Sequence, residues 1–248
     1  SSRPLTVRRA RWLVLLALPF LYLRLGELAF VEPTEGRYAE IGREMLERGD
    51  WVTPHLNYQR HLEKPPFAYW MAALGIRWFG ADNFGARFFA ATFGAALVWI
   101  AFEIAALLYG PLAGLLAALV LLAQILFFVI ARSLSADVFV TAWGAAAIYC
   151  FLRWYIVASG SFAEGRDARR WRWGYYACLG VGMLAKGPVV FLHAVLPVVV
   201  FLAVRREFED RLAQDLTVGH HDRQIGPDLA QPRDRLFVID SRRLEQRQ

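Results

Sequence analysis

The chain has 248 residues, of which 57% are hydrophobic, with a mean hydropathy of +0.33; soluble domains average roughly 45–50% apolar residues. This balance excludes an ordinary water-soluble domain and points to lipid as the solvent. The net charge of +6 and pI of about 9.6 are accounted for by arginines that face anionic lipid, so nucleic-acid binding is not needed to explain them.

Windows of about 20 apolar residues, enough to cross a hydrocarbon core of roughly 30 Å as helix, fall at 12–30, 88–108, 112–131 and 138–156, with a weaker pair at 174–187 and 189–204. The first follows a basic N-terminus, but Glu27, Phe30 and Glu32 stand where a signal-peptide cleavage site would need small residues, so it is read as a retained anchor. The arginines of 1–11, those of 166–172 and the pair Arg205-Arg206 go to the cytoplasm by the positive-inside rule, and six spans satisfy all three. The expected fold class is therefore an all-α integral membrane protein of a bacterial inner membrane, a multi-span bundle of about six transmembrane helices. Its parts are a cytoplasmic N-terminus (1–11), a transmembrane module (12–206) and a polar cytoplasmic tail (207–248). Residues 31–86 form a periplasmic loop that carries interfacial helices. Residues 66–80 are too short for a seventh span, begin at a double proline and are read as a helix lying in the outer interface. Cys150 and Cys178, both in apolar spans, read as buried free thiols.

Within the outer loop, 34–48 has Tyr38, Ile41, Met45 and Leu46 at helical spacing, with Thr34 as N-cap and Gly49 just past the end. Glu40, Arg43, Glu44, Glu47 and Arg48 would form i,i+4 pairs on its wet face, Glu44 with Arg48 among them. Glu32, Glu35 and Arg37 gather at its N-terminal end, where free N–H groups, the helix dipole and a guanidinium fork suit phosphate or carboxylate; a structural capping network is the alternative. A second cluster, His61, Glu63 and Lys64, is stiffened by Pro65-Pro66. Among 28 basic residues only Lys64 and Lys186 are lysine. On the six-span topology Glu35, Arg37, Glu63, Lys64, Arg132, Asp137 and Lys186 all project to one side at interface depth, where ionisable groups are functional candidates because burying each costs about 2.5 kcal/mol or more. The structural alternatives are snorkelling for Lys186 and a helix N-terminus capped by Ser133 or Ser135 for Asp137.

The strings EPTEGRYAEIGREMLERGDWVTPHLN, HLEKPPFAYW, NFGARF, ARSLSADVFVT and GMLAKGPVV, in that order over roughly residues 10–205, resemble the GT-C glycosyltransferases of the dolichyl-phosphate-mannose protein mannosyltransferase type, and most closely their bacterial branch of lipid A aminoarabinose transferases. The resemblance implies a sugar donor on undecaprenyl phosphate or a related polyprenyl phosphate, and transfer on the periplasmic face to a lipid, glycan or protein acceptor. It implies catalytic carboxylates at Glu35 and Asp137, with Glu32 as a fallback, because Thr34 stands where the family often has aspartate. It further implies phosphate contacts from Arg37 and Lys64, a family lysine at Lys186, and a divalent-metal contact at Glu63 found in some members. No other cofactor is implied. The chemistry asks for such a set independently: cations, Arg132 included, stabilise a departing phosphate, and a carboxylate accepts or orients the acceptor proton. No glycine-rich nucleotide loop is present in the sequence.

After Arg206 the composition turns polar and the resemblance stops. This tail is expected to be partly disordered, and His220-His221, without spaced partners, is a weak metal signal. The family normally continues with further spans, so the chain looks truncated, and two other readings stand beside the enzyme: a non-catalytic binder of polyprenyl phosphate and a small transporter. Transport would favour mid-span charges, of which Glu103 is the main one.

Overall fold

A computed structural model describes residues 6–27, 29–30, 33–157 and 166–221, with side chains described through Arg206. The elements run α1 (Val7–Ala17), a 3-10 turn (Leu18–Tyr22), α2 (Pro33–Arg48), β1 (His55–Leu56), β2 (Gln59–Arg60), α3 (Phe67–Phe79), α4 (Asn83–Tyr109), α5 (Pro111–Ala123), α6 (Ile125–Arg132), α7 (Ala136–Val157), α8 (Arg166–Lys186) and α9 (Val189–His221). The chain divides into two compact units, one up to Ala194 and one from Val195 onward. Everything below concerns the first.

This is a helical membrane bundle. Among the described residues α4, α7 and the start of α9 are long and apolar enough to cross a membrane, and α5 with α6 makes a fourth span if the bent pair is counted as one. Large apolar side chains such as Leu112, Leu116, Val120, Ile125 and Leu126 stand exposed on that pair, as a lipid-facing surface requires. Six continuous spans are not seen. The expected first span ends as α-helix at Ala17 and tightens into the 3-10 turn, because Pro19 offers no N–H and its ring crowds the preceding turn. The apolar part of α8 is shortened by the arginine-rich first two turns that share its helix. At 13 residues, or about 20 Å of rise, α3 is too short to cross, in keeping with its expected place outside the span count.

The single span expected at 112–131 is instead broken at Gln124, with a bend of 75°. The reason is packing. The turn at Gly110 sends α5 back along α4, where a Cβ on Gly114 would lie 2.8 Å from the Ala106 Cβ, while Ala131 of α6 docks against Gly94, whose own Cβ would lie 2.6 Å away. At 1.5 Å per residue Gly94 lies about 24 Å back from the turn and Ala131 about 31 Å forward. A straight helix would overshoot, and the bend takes up the difference.

Helix α2 starts at Pro33 and not after a Thr34 cap, so Thr34 lies inside the first turn. Proline suits the first helical position because its missing N–H would be unpaired there anyway. The helix ends as expected: Gly49 has φ +70, and its N–H bonds to Met45 O at 3.0 Å. Gly42 on α2 lets α3 approach until a Cβ would stand 2.9 Å from the Ala72 Cβ, and Gly75 does the same for α4 at Gly85 O.

One expectation for α2 fails in an informative way. Arg43 does pair with Glu40 at 2.7 Å and Glu47 at 2.8 Å on the wet face. Glu44, however, is fully buried and makes no pair with Arg48. Its two carboxylate oxygens accept the Tyr58 backbone N–H at 3.2 and 3.0 Å. Asn57 and Tyr58 both have positive φ, 52° and 63°, the signature of the two-residue hairpin turn whose twist matches its strands; the register is His55 opposite Arg60 and Leu56 opposite Gln59. Arg48 closes the other side, with its guanidinium 5.2 Å from the Tyr58 ring and a bond to Tyr58 O at 3.3 Å. Asp50 Oδ1 accepts the N–H groups of Val52 and Thr53, which holds its carboxyl below the ordinary range.

The deepest polar contact joins α2 to α4. Arg87 and Glu35 are 4% and 2% exposed, and Arg87 Nε and Nη2 meet the two Glu35 oxygens at 3.0 and 2.9 Å. Arg87 also donates to Leu25 O and Ala29 O at 3.4 and 3.1 Å, and Glu35 Oε1 accepts the Leu134 N–H at 2.9 Å. Four separate stretches of chain are thus fastened at one point.

Two outcomes follow. Arg87→Met leaves the Glu35 carboxylate buried without its partner and should destabilise the fold by about 3–5 kcal/mol, read as a large drop in thermal unfolding temperature in detergent. Glu44→Ala strips the Tyr58 N–H of its acceptor at a cost of about 1–3 kcal/mol, read as faster hydrogen exchange at Tyr58 and new proteolysis at 57–58 with the helical core intact.

Candidate functional site

The hairpin, the Pro65-Pro66 entry to α3, the α6–α7 turn and the α8–α9 turn place their charged side chains in one group. Arg37, exposed on α2, faces Glu63 with Nη1 to Oε2 at 3.8 Å, and His61 Nε2 lies 3.4 Å from the same oxygen. Lys64 carries its ammonium 6.0 Å from the ring centroid of Tyr38, which lies one residue after Arg37 on α2. From there it acts electrostatically on Asp137. Asp137 opens α7 and pairs with Lys186 from the end of α8.

Of the two serines considered as caps, Ser135 is the one used. Its Oγ accepts the Asp137 N–H at 3.2 Å and donates to Asp137 Oδ2 at 3.0 Å, whereas Ser133 Oγ bonds back to Val129 O. The cap leaves the carboxylate more than half exposed. An N-capped helix start and an available carboxylate coexist here, so the capping reading and the functional one do not compete.

Of the two lysines of the chain, Lys186 thus pairs directly with Asp137, while Lys64 stands over the Tyr38 ring and its charge reaches the same carboxylate; Arg37 faces Glu63 on the neighbouring turn. Arg132 does not join. Its guanidinium donates to Leu23 O and stacks 4.6 Å from the Phe128 ring, tying α6 to the turn after the first helix. Glu35 lies beside this group but faces inward, with its oxygens engaged by Arg87 and Leu134. Glu32 falls outside the described residues, as do the side chains of His220 and His221. The backbone of α9 continues as helix through His221, well into the stretch expected to be partly disordered.

A divalent metal finds little to hold it. Glu63 and His61 supply two donors, and no group of three or more His, Cys, Asp or Glu side chains with metal-binding geometry occurs among the described residues. A catalytic zinc site uses three protein ligands, so this donor set falls short and no step below is routed through a metal.

Two residues that matter were not singled out for their roles in the sequence. Arg87 appeared only as part of NFGARF, although an arginine in the second turn of a long apolar helix demands a partner. Tyr69, one turn into α3, is 1% exposed, and burial pushes its phenol up to about 12. Glu103, the mid-span exception, is bound by Arg11 of α1 at 2.7 and 2.9 Å. Cys150 and Cys178 are free thiols that face each other between α7 and α8, close enough to interact.

The sequence profile of dolichyl-phosphate-mannose-protein mannosyltransferases matches residues 10–221. The chain is 33% identical over 213 residues to the undecaprenyl phosphate-alpha-4-amino-4-deoxy-L-arabinose arabinosyl transferase of Serratia proteamaculans, covering 82% of this chain and 37% of that protein. It is 38% identical over 194 residues to the enzyme of the same name from Pectobacterium carotovorum, covering 77% and 33%. Its fold is similar to the crystal structure of ArnT from Cupriavidus metallidurans bound to undecaprenyl phosphate, with a TM-score of 0.71 at 30% identity over 79% of this chain and 36% of that one; the apo structure gives 0.70 at 31% over 84% and 39%. The chain thus spans about a third of the length of the curated relatives it matches. With the family profile matched over residues 10–221, and relatives and solved structures of the same kind matched over most of the chain, this multi-pass bacterial membrane protein belongs to the dolichyl-phosphate-mannose-protein mannosyltransferase family.

Proposed function

We propose that this chain is the donor-binding, N-terminal part of a glycosyltransferase that moves a sugar from a polyprenyl phosphate to a lipid, glycan or protein acceptor on the periplasmic face. The observation that carries the reading is the Asp137–Lys186 pair at the exposed start of α7, with the charge of Lys64 reaching the same carboxylate. Relatives named for an undecaprenyl phosphate-linked aminoarabinose donor, and a similar structure bound to undecaprenyl phosphate, support that donor class and lipid A modification.

In the reaction the acceptor hydroxyl oxygen attacks the anomeric carbon. The bond from that carbon to the phosphate oxygen breaks with inversion, and the polyprenyl phosphate leaves with one more negative charge than it had as a diester. Lys64 and Arg37 meet that charge as it develops, and preorganised cations are worth most there because the site need not reorganise around it. Asp137 takes the proton of the acceptor hydroxyl. Its pairing with Lys186 keeps the carboxylate ionised before the donor arrives, and the phosphate then competes for the lysine. Glu35, expected as the other catalytic carboxylate, has no oxygen turned to this surface; in our reading it holds the frame through Arg87 while Asp137 handles the proton.

A binder without catalysis would use the same cations and leave Asp137 idle, so Asp137 separates the two. Transport loses its main support, since Glu103, the main mid-span charge, is held by Arg11.

In lipid nanodiscs the chain should bind undecaprenyl phosphate, and Lys64→Ala should weaken that binding by about tenfold or more; equal binding by both removes Lys64 from the site. Membranes containing the chain should transfer radiolabelled aminoarabinose from undecaprenyl phosphate, and Asp137→Asn should reduce transfer by about 100-fold or more. Binding without any Asp137-dependent transfer would leave the non-catalytic binder as the answer. A cysteine replacing Gln59 should react with an impermeant thiol reagent from the periplasmic side; labelling from the cytoplasm alone would overturn the proposed face.

A further inference from the structure

Tyr69 is a fully buried side chain near this cluster whose hydroxyl has no partner among the described residues. Its ring stands edge-on to Tyr38 at a centroid distance of 5.1 Å, and it is 1% exposed, yet its hydroxyl has no hydrogen-bond partner among the described residues. A buried hydroxyl without a partner is destabilising, and phenylalanine would fill the same space without that penalty. The site already contains such rings, for Phe67, two residues earlier on α3, packs edge-to-face against Phe93, Phe139 and Trp143. The Tyr69 hydroxyl thus lies unpartnered in a largely aromatic seam, in which the Trp143 indole N–H is also without a partner among the described residues.

Its surroundings indicate what it is for. Glu63 and Arg37 are the charged groups that act on the phenol, after the neighbouring Tyr38, and Lys64 sits over the Tyr38 ring. Burial keeps the phenol protonated up to about 12, so it is a hydrogen-bond donor at every physiological pH. The lid above it is weak: Arg37 and Glu63 are 3.8 Å apart with half-exposed side chains, and exposed pairs of this kind contribute little. An incoming anion competes directly for Arg37.

We propose that the Tyr69 hydroxyl is a donor held in reserve for a phosphate oxygen of the lipid-linked substrate, reached when that phosphate draws Arg37 away from Glu63. The inference rests on the polyprenyl-phosphate reading above. It adds a neutral, buried donor beneath the exposed cations, so that a phosphate on a lipid, anchored at the right depth, is favoured over a free anion that the surface cations alone could hold.

The test is Tyr69→Phe in the full chain. Removing an unpartnered hydroxyl should leave thermal stability in detergent unchanged or raised, while undecaprenyl phosphate binding in nanodiscs weakens about tenfold and binding of uncharged undecaprenol does not change. If the wild type fails to bind undecaprenyl phosphate at all, the donor reading falls and this inference with it. If the wild type binds and Tyr69→Phe binds equally well, the inference alone falls. A lowered unfolding temperature, or an equal loss for undecaprenol, would mean the hydroxyl is structural and would overturn the proposal. So would binding of inorganic phosphate that depends on Tyr69 to the same degree, since the donor would then serve any anion.

Discussion

The Glu35–Arg87 pair is the constraint on which the rest of the structure hangs. Both groups are removed from water, so each needs the other, and the fork geometry lets two guanidinium nitrogens meet two carboxylate oxygens. What makes the pair more than a local contact is the set of backbone groups around it. Leu25 O and Ala29 O from one stretch and Leu134 N from another lie far apart in the chain, and a charged pair that also satisfies backbone groups fixes their positions more sharply than apolar packing could. Leu134 lies three residues before Asp137, and Glu35 lies two residues before Arg37. The buried pair thus sets the spacing between α2 and the start of α7, the two elements that bear Arg37 and Asp137.

Small residues supply the second constraint. Gly42 and Gly75 allow α2, α3 and α4 to approach closely, which is how a short helix that cannot span the membrane is held firmly enough to carry Lys64 at its entry. In lipid there is little hydrophobic drive between helices, so close backbone approach and polar contacts do the work. The break at Gln124 belongs to the same logic: Gly114 and Gly94 offer two docking points at unequal distances from the turn at Gly110, and one straight helix cannot use both.

Charge is divided by depth. Buried charges are spent on pairing, as in Glu35 with Arg87, Glu44 with the Tyr58 N–H and Glu103 with Arg11. Nearer the surface lie Arg37, 3.8 Å from Glu63, Lys64 over the Tyr38 ring, and the Asp137–Lys186 pair. That separation is physically sensible, because breaking a buried pair is expensive while a surface pair yields for little.

Much of this was legible in the sequence. Composition decided the solvent, apolar length marked α4 and α7, and the scarcity of lysine picked out Lys186, which pairs with Asp137, and Lys64, which stands over the Tyr38 ring. Gly49 ended α2 where its freedom at positive φ is needed. Other features depend on which residues meet across the bundle, and periodicity does not carry that information. Glu44 looked like a member of a wet helical face because i,i+4 spacing describes a helix alone, and only the hairpin folded against it turned that carboxylate inward. Glu35 and Arg132 looked like site residues because both lie at the right depth, but Arg87 and Leu23 O claimed them. The bend at Gln124 has no proline or glycine to announce it. The sequence by itself determined that this is a helical membrane bundle, since transfer of apolar side chains from water is a property of each residue. Which charges are spent inside and which stay free at the surface was decided only by the tertiary structure, since pairing depends on distances between residues that are remote in the chain.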